Sequence, residues 1–336
     1  MSAMNWTPLI QTERGSVAEC VHFGAVAVVD AQGKLLASAG NPELISFTRS
    51  TLKPLQALPF MEGGGAEHFK PEPAQIAMLC ASHSGEDRHV AQIDRLLAAT
   101  GLGYKRLRCG CHTPYFVEFG VKGSGGPYDE RHHNCSGKHA GFLAYCVQHR
   151  LPLDQHLAPE HPLQQAIAQA VMRVMALRAD QVAVGIDGCS APNYAVPLSG
   201  LALAYARLAA GTASPVAGVS LARLSQAMRQ HPDLVSGTGR HDEAFMRIGG
   251  GDWVSKTGAD GVQALGSASR GIGVAIKISD GSRQALTATA VAVLDQLGWL
   301  TQAQRQALKP WQAETILSVK GEVVGARRAV FKLQQP

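Results

Sequence analysis

Cys20-Val-His-Phe-Gly-Ala-Val-Ala-Val-Val-Asp30-Ala-Gln-Gly33-Lys-Leu-Leu-Ala-Ser-Ala39 decides the class of fold. Two runs of small and apolar residues flank Asp30-Ala-Gln-Gly33, where the glycine supplies the freedom for a tight turn, so the stretch reads as an antiparallel strand pair. Such a pair needs further strands to bury its faces. They come only near the other end of the chain, where 253–257, 262–267 and 271–279 read as a three-strand meander followed by an amphipathic helix over 283–297. Between the two lies helical periodicity, at 52–60, 74–80, 90–99, 137–149, 163–177, 194–209 and 221–230, with 182–186 as a lone strand. Strands that open and close a chain combine in one antiparallel sheet, and the helical middle packs against it. The expectation is an α/β fold forming a single catalytic unit over 1–336, with an α/β lobe from 1–50 and 240–336 and a mostly helical lobe from 51–239. The site is expected where the lobes meet.

Composition narrows the function classes. With 336 residues, 46% hydrophobic and 17% charged, the chain can build a large core without staples, and it does not read as disordered or coiled-coil. The net charge of +5 is scattered, with only Lys105-Arg106-Leu-Arg108 and Arg327-Arg328 as clusters, so nucleic acid is not an expected partner. Met1-Ser-Ala-Met-Asn-Trp-Thr-Pro8 lacks the basic and apolar regions of an export signal, and the apolar stretch 196–210 is broken by Pro197, Ser199 and Arg207. No membrane partner is expected, and the expected location is cytoplasmic. Seven cysteines, an odd number, point to free thiols or metal ligands.

Ser50-Thr-Leu-Lys53 lies where the hairpin hands over to the helical run, which puts Ser50 and Lys53 at i and i+3 on one face of a first turn. The plain reading makes Ser50 an N-cap and Lys53 a solvated charge, and about one S-x-x-K is expected from composition alone. A capping box would carry Glu or Gln there, however, and a cation opposes the helix dipole. A desolvated, neutral lysine beside a hydroxyl is instead a base that activates a nucleophile. Trp253-Val-Ser-Lys256-Thr-Gly258 adds a second element at a strand end. Serine acyl-enzymes of the class A β-lactamase and penicillin-binding type combine S-x-x-K, a second serine in the helical region and K-T-G on a strand. The middle element here is Cys80-Ala-Ser82-His-Ser84-Gly-Glu86 rather than S-D-N.

Asn134-Cys135-Ser-Gly-Lys138-His139 opens a predicted helix and places Cys135, Lys138 and His139 on one face. Gly185-Ile-Asp187-Gly-Cys189-Ser-Ala-Pro192 follows the lone strand, and Cys189 can complete a soft N/S site of the kind zinc prefers. Buried inert thiols fit the spacing equally well. Cys109-Gly-Cys111-His112 is a rival cluster, weakened because residues two apart in an extended chain point to opposite sides.

Together, Arg49-Ser50-Thr-Leu-Lys53, Ala81-Ser82-His83, His133-Asn134-Cys135-Ser-Gly-Lys138-His139, Gly185-Ile-Asp187-Gly-Cys189-Ser-Ala-Pro192 and Lys256-Thr-Gly258 closely resemble the rhizobial-type asparaginases, also called class 3 or the asparaginase II family. The resemblance spans roughly residues 15–330. It implies a fold like the serine β-lactamases and glutaminases, a homodimer, zinc as cofactor, and hydrolysis of L-asparagine to L-aspartate and ammonia. It places two Ser-Lys tandems on Ser50 with Lys53 and on Ser82 with Lys256. The implied zinc ligands are Cys135, Lys138 and Cys189, with Asp187 at a substrate-site position. A ligating lysine must be neutral, so Lys138 would need a lowered pKa. His241-Asp242 and the stretch after Trp311 follow the family pattern less closely.

The expected function is therefore that of an amidohydrolase. Ser50 attacks the carboxamide, Lys53 takes its proton and returns it to the leaving ammonia, and Ser82 and Lys256 relay protons. Either serine can be the acylated one, since each has a lysine. For a zwitterionic substrate, Arg49 is the candidate for the α-carboxylate and Asp187 for the α-ammonium. The backbone N–H groups of Ser50 and Ala259 are candidates for an oxyanion hole. A glutaminase or a β-lactamase-like serine amidase is the enzymatic alternative, because one methylene is worth only ~1–3 kcal/mol in a pocket. A zinc-binding, non-catalytic sensor is the alternative from another class.

Overall fold

The structure, a computed structural model, describes residues 6–312 and 314–336. In chain order the strands are β1 (Thr7–Arg14), β2 (Val17–Asp30), β3 (Leu35–Ala39), β4 (Ile45–Phe47), β5 (Ala183–Ile186), β6 (Pro192–Pro197), β7 (Trp253–Gly258), β8 (Val262–Ser267), β9 (Ile272–Ile278), β10 (Thr315–Leu317) and β11 (Val323–Ala329). Eight of them form one sheet in the order β10-β11-β1-β2-β9-β8-β7, with β3 beside β2. Every pairing is antiparallel. The length of β2 makes this possible: β1 and β3 share one of its edges, one after the other, while β9 takes the opposite edge. The two ends of the chain thus meet in one sheet, as the strand pair at 20–39 requires.

Period-2 alternation along β2 divides its side chains between two cores. Ala25, Ala27 and Val29 enter the core shared with the central helices, whereas Val26 and Val28 enter the core shared with the helix Arg283–Gln296. The helix Leu198–Ala210 lies so close to the first face that a Cβ on Gly266 or Gly273 would run into the backbone oxygens of Tyr205 or Ala202. Those two glycines are packing requirements of the sheet.

Three features differ from the expectation. The apolar run 194–209 is not one helix: its start belongs to β6, and helix begins only at Leu198. Pro197 fixes the break, since the residue before a proline avoids the helical region. β6 pairs with β4 and β5, so 182–186 is an edge of a three-stranded sheet rather than a lone strand. After Arg240 the chain first forms a helix, His241–Ile248, and only then the meander. Among the described residues no helix is long and apolar enough to cross a membrane.

Candidate active site

Ser50 sits in a 3-10 turn, Arg49–Leu52, that runs into the short helix Lys53–Gln56. Arg49 has a φ of +49°, a left-handed conformation that costs a residue with a side chain about 1–3 kcal/mol. Asn193 on β6 clamps it, accepting from Arg49 N at 3.0 Å and donating to Arg49 O at 3.1 Å. On the other side β7 ends against the turn: a Cβ on Gly258 would lie 2.9 Å from Thr48 O and 3.3 Å from Ser50 N. The glycine of K-T-G is there because strand end and serine turn are in backbone contact. The N–H groups of Ser50 and Ala259 make no hydrogen bond among the described residues.

Lys53 is 1% exposed, and its Nζ donates to Ala81 O at 2.6 Å, Ser82 Oγ at 2.8 Å and Asn134 O at 3.1 Å. The lysine of one expected tandem therefore bonds the serine of the other. Ser50 Oγ has no hydrogen-bond partner among the described residues and lines a cavity. The reason is local: Ser50 is half-buried beside the cavity, while the buried side chain of Lys53 reaches to the segment that follows the helix Pro73–Leu79. Lys256 is also buried and donates to Thr257 O at 2.8 Å, with no bond to Ser82. Burial depresses both ammonium groups, and Lys256 is pushed down to about 7 by burial, with Lys53 and Arg240 adding to the effect and Asp242 opposing it. Asp242 anchors this strand from beneath, accepting from Ser255 Oγ at 2.7 Å, Thr257 N at 2.7 Å and Gln263 Nε2 at 3.0 Å. Burial works against its charge, but His241, Lys256 and these hydrogen bonds hold its pKa at about 2.

Arg49 and Asp187, the candidates for the two ends of a zwitterion, engage each other. Arg49 Nε and Nη2 lie 3.0 and 2.9 Å from Asp187 Oδ1, and Arg49 also pairs with Asp260 beyond the end of β7. Sequence reading missed Arg240. Its Nη1 donates to Ser82 O and Ser236 O, and its guanidinium lies 5.2 Å from the Tyr115 ring centroid and 5.8 Å from that of Phe119. The only signal in the sequence was position, a Gly237-Thr-Gly239-Arg240 turn at the junction of helical and strand regions.

Cys135 is the N-cap residue of the helix Ser136–Gln148, and Cys189 sits in the tight turn joining β5 to β6. Cys135, Lys138 and Cys189 are all buried and converge. Lys138 Nζ donates to Cys189 Sγ at 3.0 Å, and the Cys135 thiol donates to Asn134 Oδ1 at 3.3 Å. The neighbouring Cys135 thiol, with Lys138, pushes the Cys189 pKa down despite its burial. Burial also works against the Lys138 charge, but the two sulfurs outweigh it and raise its pKa. That direction is the opposite of the lowered pKa a ligating lysine needs. Among the described residues no three His, Cys, Asp or Glu side chains converge as a metal site, so a metal here needs the lysine as its third ligand. Two sulfurs and an amine are nevertheless a donor set that fits zinc, and His139 beside them is buried with neither ring nitrogen hydrogen-bonded. The rival cluster does not form: Cys109 is buried and Cys111 exposed.

Ser50, Ser82, Asn134, Arg240 and Ala259 line one cavity of about 510 Å³, of a size that suits a small molecule. The thiol cluster adjoins it, since Asn134 accepts from Lys53 and Cys135 is the next residue. The model of the family described as L-asparaginase II matches residues 10–329. Among curated proteins no match was found. Among solved structures, a β-lactamase from Mycobacterium bovis is similar at 14% identity, over 81% of this chain and 94% of its own, with a TM-score of 0.42.

Proposed function

The chain belongs to the L-asparaginase II family, and from that premise we propose that it hydrolyses L-asparagine to L-aspartate and ammonia through a serine nucleophile with lysine bases. The observation that best supports this reading is the 2.8 Å hydrogen bond from buried Lys53 to Ser82 Oγ in the cavity that Ser50 also lines. Ser50 Oγ, unpartnered and facing the cavity, attacks the carboxamide carbon. Its proton passes through Ser82 to Lys53 in the neutral form that burial favours. The tetrahedral oxyanion lies between the N–H groups of Ser50 and Ala259. As the C–N bond breaks, the proton returns to nitrogen and ammonia leaves. Water then cleaves the acyl-enzyme ester by the same relay in reverse, and Lys256, with a pKa of about 7, is available as a second base.

Ammonia release from L-asparagine, with L-glutamine as control, tests the reading. A preference for asparagine of about tenfold or more is expected, in keeping with a difference of one methylene. Faster release from glutamine would make the protein a glutaminase, and none from either would remove the activity.

Cys135, Lys138 and Cys189 would hold a zinc ion. Bound there, with its charge balanced by the two thiolates, zinc would tie the helix start at Cys135 to the turn at Cys189 and so fix the cavity wall that includes Asn134. About one zinc per chain is expected in the purified protein by elemental analysis, lost in Cys189→Ser. Zinc should also protect Cys135 and Cys189 from a thiol reagent. A metal-free wild type whose thiols stay equally reactive after zinc is added would rule the site out.

A further inference from the structure

An amino-acid substrate brings an α-carboxylate into the cavity, and a desolvated carboxylate needs a fixed cation. Arg49 already has Asp187 and Asp260 as partners, so a substrate carboxylate would have to displace one of them. Two other arginines line the cavity itself, Arg283 and Arg240. Arg283 is exposed. Arg240 is partly buried, and among the described residues no carboxylate lies within ion-pair distance of it. Asp242, the acid that acts on it most strongly, has its oxygens taken by Ser255, Thr257 and Gln263.

The guanidinium is held in a way that leaves one edge for a ligand. Nη1 is used by the carbonyls of Ser82 and Ser236, and Tyr115 and Phe119 flank the group, while Nε and Nη2 have no hydrogen-bond partner among the described residues. Parallel N–H donors on one edge of a planar fork match the two oxygens of a carboxylate. The anchor is also close to the chemistry, because Arg240 bonds the carbonyl of Ser82, whose hydroxyl bonds Lys53. A short substrate held there by its carboxylate keeps its side-chain amide near the serines.

We propose that Arg240 binds the α-carboxylate of the substrate, and that Arg49, with Asp187 and Asp260, holds the nucleophile turn in place. The assignment rests on the asparaginase reading, and the test separates the two. L-Asparaginamide, in which the α-carboxylate is a neutral amide, is compared with L-asparagine. The wild type is expected to favour asparagine in kcat/KM by about 10- to 100-fold, the scale of a charged hydrogen-bonded pair. Arg240→Gln should raise KM for asparagine and bring the ratio near one, and Arg49→Gln should leave the ratio as in the wild type. An Arg240→Gln protein that slows both amides equally, a ratio that collapses in Arg49→Gln instead, or a wild type with no preference would overturn the proposal. If Arg240→Gln does not fold, Arg240→Lys replaces it: a charge without the fork is expected to lose about tenfold of the preference, and an unchanged ratio overturns the assignment. Aspartate binding by calorimetry needs no turnover. If the wild type hydrolyses neither amide, the activity reading falls. Aspartate affinity then decides alone, expected to drop in the Arg240 variant and overturning the assignment if it does not.

Discussion

Lys53→Met is expected to reduce asparagine turnover by about 10⁴-fold while the protein stays folded. Methionine nearly fills the volume of the buried lysine stem, so the core around it keeps its packing. What disappears is the amine that bonds Ala81 O, Ser82 Oγ and Asn134 O, and with it the proposed acceptor of the nucleophile's proton. Some stability is lost because those acceptors lose a donor, about 1–3 kcal/mol for each one left buried and unsatisfied. Circular dichroism and a thermal melt would separate that loss from the kinetic one. Ser82→Ala should be impaired through the same relay, and the double variant Lys53→Met/Ser82→Ala should be no slower than the worse single. A folded Lys53→Met protein with wild-type turnover would remove Lys53 from the mechanism. A double variant far slower than either single would show that Lys53 and Ser82 do not act as one unit.

What the sequence disclosed and what it hid follow from the range of each interaction. The strand pair at 20–39 is legible because small and apolar residues meet a glycine turn, a local pattern that needs no partner to be recognised. β1 and β11 are not, since Glu13, Arg14, Arg327 and Arg328 interrupt the apolar alternation. From Tyr194 on, β6 reads as helix for the opposite reason. All six of its residues are buried, and the apolar run Tyr194-Ala-Val-Pro197 has neither a period of 2 nor one of 3.6. At the site, spacing identified Ser50, Lys53, Ser82, Lys256, Cys135, Lys138 and Cys189 as polar groups that the fold gathers, but it did not identify their partners. Lys53 bonds Ser82 rather than Ser50 because a 3-10 turn and burial set the path of its side chain. Arg49 meets Asp187 across 138 residues of chain, and Arg240 reaches Ser82 across 158. Such distances are closed by sheet topology, which no local motif records.

Ala259→Pro is expected to lower turnover by about 10²–10³-fold with little change in KM, the signature of a lost transition-state donor. The position permits the test. The β7 ladder ends with Gly258 opposite Val262, so proline at 259 removes no bond of the sheet. Its restriction on the preceding residue falls on a glycine, which tolerates extended backbone. The N–H that is deleted has no other partner among the described residues, and it lies one residue from the contact between Gly258 and the Ser50 turn. Charge develops on the carboxamide oxygen only as the serine adds, so ground-state binding should hardly register the loss. Ala259→Gly is the matching control, because it removes a methyl group and keeps the N–H; turnover close to wild type is expected. Equal losses in both variants would mean that the turn, not the donor, had been disturbed. A bound aspartate with its side-chain carboxylate remote from the N–H groups of Ser50 and Ala259 would place the oxyanion elsewhere.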